Sequence, residues 1–157
     1  LRAIDTRSQQ LIWSSISNGS GGEGVYFFDV GIVSSMLGYQ TLVPGTSEYG
    51  RAFEHYVLQE VWAYRHYSKI EFPITFWRTA SGSEVDLILG DADVAIEVKS
   101  STSISDRPKG LHLFHEEHKC RKSFVISKEQ RPRKISSEIT VLPWQDFCER
   151  LWAGDIL

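Results

Sequence analysis

At 157 residues and 41% hydrophobic content, the chain can bury one core with a small appended element, but not two full domains. No apolar run approaches the roughly 20 residues a membrane helix needs, the longest being strand-length runs such as Leu87–Leu89, so a soluble, cytoplasmic protein is expected. The net charge of −3 is uneven: residues 1–98 carry 6 Lys/Arg against 12 Asp/Glu, residues 99–134 carry 10 against 4, and residues 135–157 carry 1 against 4.

The spacing of Leu11, Ile12 and Ile16 predicts a helix over Thr6–Ser17, followed by a flexible connection at Asn18–Gly22. Val25–Phe28 reads as a short strand. Asp29 is placed to cap a helix that buries Ile32, Val33, Met36 and Leu37 and ends near Gly38. After the loop from Pro44 to Tyr49, a helix is expected from Gly50 to about Tyr67, with Phe53, Val57, Val61 and Tyr64 on one stripe. Three strands follow at short spacing, Ile74–Arg78, Glu84–Leu89 and Val94–Lys99, separated by turns at Gly82 and at Gly90–Asp93, which predicts an antiparallel meander. Lys109–Lys119 reads as a helix, and Ser123–Ser127 as a fourth strand. The connection between third and fourth strands is long enough for a crossover, so those two could lie parallel. Thr140–Leu142 is a last short strand, and Pro143 opens a C-terminal helix carrying Trp144, Phe147, Leu151 and Trp152.

The fold class is therefore α/β, with residues 1–49 as a helical and linker extension and 50–157 as the main domain. The start at Leu1, without a Met or a signal pattern, is expected to mark a piece of a longer chain. The two cysteines, Cys120 and Cys148, supply neither a disulfide framework nor a Cys-x-x-Cys metal site.

Asp86 lies in one strand of the meander, and Glu97–Val98–Lys99 ends the next. A hairpin sets them side by side, and strand alternation puts Glu97 and Lys99 on one face with Val98 turned to the core. Two carboxylates at one end of a sheet are costly to bury without a compensating cation, and hard oxygen ligands suit Mg²⁺ or Mn²⁺. The basic stretch 99–134, which follows these acids, suits a polyanionic partner; a solvated surface explains it equally well.

These residues resemble the PD-(D/E)XK, restriction-endonuclease-like superfamily, whose core is a helix, a three-stranded meander, a helix and a further strand. Asp86 matches the motif Asp, Glu97 the (D/E) and Lys99 the terminal Lys, while Val85 stands where the name has Pro. Gly50–Glu54 has the G-x-x-x-E shape of the helix that often adds a ligand, which nominates Glu54 ahead of Glu60. A wider resemblance runs through Val25–Gly31, Phe53–Glu54, Phe76–Arg78, Gly82–Asp86, Ile96–Ser101 and Gly110–Phe114. It is to a domain of unknown function that typically sits C-terminal to an AAA-type ATPase module in bacteria and archaea. No G-x-x-x-x-G-K-[ST] loop occurs in the chain, so an ATPase would lie upstream.

The resemblance implies a metal-dependent nuclease, with DNA favoured over RNA as substrate. Asp86, Glu97, Glu54 and the Val98 carbonyl would hold Mg²⁺ or Mn²⁺, and Lys99 would position water and offset charge on the phosphate. Glu84 would tune the site, and Arg78 and Ser100 would contact phosphate. Its implied partners are nucleic acid, an N-terminal AAA ATPase module and, as in many of the superfamily, a second copy in a homodimer, with the N-terminal helix as association element. The alternative is a catalytically inactive module of the same fold that binds nucleic acid or protein and relays the ATPase state. Acid–base pairs on neighbouring strands also form plain ion pairs. His112, His115 and His118 beside Cys120 invite a zinc reading, weighed against an ordinary solvated helix face, and Trp62, Trp77 and Trp144 read as core.

Overall fold

The computed structural model describes residues 41–157 and, ahead of them, two short strands, β1 (Ile12–Ser14) and β2 (Val25–Phe27). These pair antiparallel, with Trp13 opposite Tyr26. A strand therefore stands where the spacing of Leu11, Ile12 and Ile16 predicts a helix. Short isolated helices are marginal, whereas a three-residue strand is satisfied by the ladder with Val25–Phe27. The helix expected from Asp29 to Gly38 lies outside the described residues.

The rest is a mixed α/β unit in the order α1 (Ser47–Ser68), β3 (Ile74–Arg78), β4 (Glu84–Leu89), β5 (Val94–Val98), α2 (Lys109–Glu117), β6 (Lys122–Ser127), β7 (Arg133–Lys134), β8 (Ile139–Pro143) and α3 (Trp144–Ala153). Thr46 caps α1, its hydroxyl accepting from the Tyr49 N–H at 3.2 Å. Gly154, at φ 82°, closes α3 in the left-handed conformation that favours glycine. The six strands run in the order β3-β4-β5-β6-β8-β7. β3, β4 and β5 form the antiparallel meander, β5 pairs parallel with β6 across the α2 crossover, β6 pairs parallel with β8, and the edge strand β7 runs antiparallel to β8.

The central strands are buried on both faces, which is why they read as unbroken apolar runs. Val94, Ile96 and Val98 of β5 join Phe124, Ile126 and Leu142 against Val57, Leu58 and Val61 of α1 and Phe147 and Leu151 of α3. On the opposite face Ala95, Val125 and Val141 pack with Trp77 against Leu111 and Phe114 of α2. Trp77 is thus core, edge-on to Phe114 at 5.7 Å between ring centroids. Among the described residues no helix is long and apolar enough to cross a membrane.

Two local features shape the end of the sheet that carries the motif. Thr75 pairs with Ile88 but Trp77 with Val85, so β4 holds one residue more than β3 across the stretch containing Asp86. Such a bulge re-aims a side chain. The long connection after β5 is clipped to the segment after β6. There Glu129 accepts from the Ile104 N–H at 2.8 Å, and Arg133 donates to the Ile104 carbonyl at 2.7 Å.

Candidate active site at the end of the sheet

β4 and β5 pair at Leu89–Val94, Ile88–Ala95 and Leu87–Ile96, and there their ladder stops. Beyond it the Val98 N–H donates to Asp86 Oδ2 at 2.7 Å, so a carboxylate takes the place of a backbone acceptor. β5 meanwhile continues its parallel ladder with β6, and the Lys99 N–H donates to the Ile126 carbonyl at 2.9 Å. The meander forks at Asp86, and Glu97, Val98 and Lys99 line one arm of the fork.

Glu97 is buried, at 7% exposure, in a strand otherwise made of Val, Ala and Ile. Its Oε1 lies 3.0 Å from Lys99 Nζ, which reaches out to solvent. Its Oε2 is buried with no hydrogen-bond partner. A buried carboxylate oxygen left without a donor is costly. Gly110 explains how α2 comes close: a Cβ there would overlap the Glu84 carbonyl oxygen and lie 3.4 Å from Glu97 Oε2.

Burial, with the Glu54 charge adding to it, pushes Asp86 up to about 7, against the opposing pull of the Val98 N–H and Lys99. The influence of Glu54 brings the α1 carboxylate into the electrostatics of the site. Desolvation alone would lower the Lys99 ammonium, but the charges of Glu97, Asp86 and Glu84 outweigh it and hold Lys99 above its ordinary value. Lys99 is therefore a cation at neutral pH.

The remaining expected residues divide. Glu84 pairs with Arg78 across β3 and β4, so Arg78 is already engaged by a carboxylate. The register shift falls between the Val85 and Ile88 pairs, past Glu84, whose charge contributes to holding Lys99 above its ordinary value. The Ser100 hydroxyl lies beside Gly50, 3.7 Å from where a Cβ would be, which ties the start of α1 to the strand end. Glu60 accepts from Trp152 Nε1 at 3.0 Å and serves the contact of α1 with α3. The histidines do not converge: His115 bonds Ser123 at 2.8 Å, His118 packs on Phe114, and His112 is exposed. Ser123, at 1% exposure, presents no nucleophile despite that partner.

Sequence reasoning missed one pair at this end. Lys128, just past β6, donates to the Tyr49 hydroxyl at 2.9 Å, with Nζ 4.9 Å from the centre of the Tyr49 ring. The two residues are 79 positions apart, so no local pattern joins them.

Asp86 and Glu97 are hard oxygen donors, and the partnerless Glu97 Oε2 has the chemistry of a cation ligand. Among the described residues no group of three or more His, Cys, Asp or Glu side chains is arranged to hold a metal ion. The fit is thus to an ion such as Mg²⁺, which takes one or two carboxylates and retains waters, and not to a closed protein cage.

The family described as Domain of unknown function (DUF4143) matches residues 49–147. No curated protein and no solved structure matches the chain.

Proposed function

The chain belongs to the DUF4143 family, and we propose that this domain is a metal-dependent nuclease of the PD-(D/E)XK type, cutting phosphodiester bonds in nucleic acid, DNA in preference to RNA. The observation that carries the reading is Glu97: a buried carboxylate with one oxygen on Lys99 and the other unpartnered, next to an Asp86 that burial holds near neutrality. The order of α1, the meander, α2 and a parallel β6 supports a restriction-endonuclease-like core.

Asp86 and Glu97, with Glu54 at the edge, would hold Mg²⁺ or Mn²⁺. The bound ion would polarise the phosphate and lower the pKa of an attacking water. Lys99 does the rest from this chain. Its ammonium, kept charged by Glu97, donates to water or to a phosphate oxygen and offsets negative charge that grows as the bond breaks. The Val98 N–H fixes the rotamer of Asp86, so the carboxylate is oriented before anything binds. The family often follows AAA ATPase modules, which supports an upstream ATPase that feeds or gates the substrate.

A second reading is a non-catalytic module of the same fold that binds nucleic acid or protein and relays the ATPase state. The lack of a three-ligand cluster among the described residues favours it. Incubation with single- and double-stranded DNA and RNA, with Mg²⁺ or Mn²⁺, separates the two. The first reading expects cleavage by the parent and none by Asp86→Ala or Lys99→Ala. A folded parent that cuts nothing, also with ATP in its longest natural form, leaves the second.

A further inference from the structure

We infer that Lys128 and Tyr49 form a second phosphate subsite, which holds the nucleic-acid backbone beside the fork of the sheet. The inference rests on the nucleic-acid part of the proposed function, and not on cleavage.

Three observations carry it. First, Lys128 makes no ion pair with a carboxylate among the described residues, unlike Lys99, Arg121 and Arg133; it shares this with Arg107, Lys109, Lys119, Lys122, Arg131 and Lys134 of the same stretch, and differs from them in that its Nζ sits on the Tyr49 hydroxyl and ring. An ammonium held in place without a counter-ion is prepared to receive an anion. Second, it is held in place: the Lys128 N–H donates to the Ser101 carbonyl at 3.0 Å, and Nζ is fixed by the Tyr49 hydroxyl and ring. Third, its position is next to the site. Ser101 is two residues past Lys99, and β5 and β6 are adjacent parallel strands, spaced about 4.8 Å apart. Ser100 lies against Gly50, the neighbour of Tyr49, so α1 closes the same corner.

The chemistry indicates which part of the strand is read. The Lys128 ammonium covers one face of the Tyr49 ring, leaving no sandwich for a base, and an ammonium is a point charge suited to phosphate. The contact would therefore add affinity without sequence preference.

The test is binding of a short fluorescent oligothymidylate to the chain, without divalent cation, across a salt series, alongside melting curves. Lys128→Met keeps the stem over the ring. It is expected to bind about fivefold or more weakly, and the slope of log K against log salt should shrink by about 0.7, the value for one phosphate contact on a single strand. Lys128→Arg should restore binding, and oligoadenylate should show the same loss. Lys128→Met with parental affinity and slope overturns the inference, as does a parent that binds no oligonucleotide. A loss of affinity that Lys128→Arg fails to restore at parental melting temperature also overturns it, since the pair would then only anchor α1. Lys128-dependent binding without cleavage would support the subsite and refute hydrolysis, while cleavage with Lys128-independent binding would do the reverse.

Discussion

The Val98 N–H donates to the Asp86 carboxylate at 2.7 Å where the β4–β5 ladder ends, so an acidic side chain closes the last gap between two strands. A carboxylate in that place has two opposed effects. It stabilises the fork by accepting the bond, and it strains the fork through its own charge next to Glu54.

The first consequence concerns Asp86→Asn, which keeps an acceptor for Val98 and removes the charge. Without divalent cation at pH 8, this variant should be more stable than the parent by roughly 2 kcal/mol, a discounted share of the Asp86 shift. It should also be inactive. Chemical denaturation checks the first half and the cleavage assay the second.

Stability should also depend on pH in a direction opposite to that of an ordinary ion-paired carboxylate. With Asp86 raised from 3.8 to about 7, the folded state holds more protons than the unfolded one between those values. Stability therefore falls as pH rises from about 4 to about 7, then levels off. Denaturation midpoints measured across that window without metal should show the decline, and Asp86→Asn should flatten it.

Gly110 gives a test of geometry without any change of charge. In Gly110→Ala the new methyl overlaps the Glu84 carbonyl oxygen, which is backbone and cannot swing aside. α2 must move off β4 and β5, at a cost of about 1–3 kcal/mol. A lower melting temperature, together with weakened metal binding, is expected.

The two α1 glutamates should behave differently. Glu60 is bonded to Trp152 at the contact of α1 with α3, so Glu60→Gln should leave cleavage at the parental rate. Glu54→Gln should lower it, because the Glu54 charge acts on Asp86. Rates measured under saturating metal would separate the effect from stability.

Much of this architecture was legible in the sequence because burial wrote it there. The 3.6-residue stripe through Val57, Val61 and Tyr64 marked α1, and the runs at Ile74, Glu84 and Val94 marked the meander to within a residue of its strands. Proximity was legible where it is local, as in Glu97–Val98–Lys99, whose acid and base lie on one face and pair at 3.0 Å. What stayed hidden depends on partners distant in the chain. The bulge in β4 is a matter of register with β3, β7 is a two-residue edge strand in a charged stretch, and Tyr49 meets Lys128 only once the sheet is built. Within Thr6–Ser17 the spacing of Leu11, Ile12 and Ile16 fits a helical stripe, and only the pairing of Ile12–Ser14 with Val25–Phe27 shows a strand there.

Whether the fork of the sheet holds a divalent cation on Asp86 and Glu97, as proposed, is read from the melting temperature of the chain titrated with Mn²⁺. A bound ion stabilises the folded state by mass action, about 2.7 kcal/mol at a hundredfold excess over Kd. A rise that saturates with Mn²⁺ is expected in the parent, and its loss in folded Glu97→Ala. No rise in the parent, or an equal rise in the variant, would contradict the proposal.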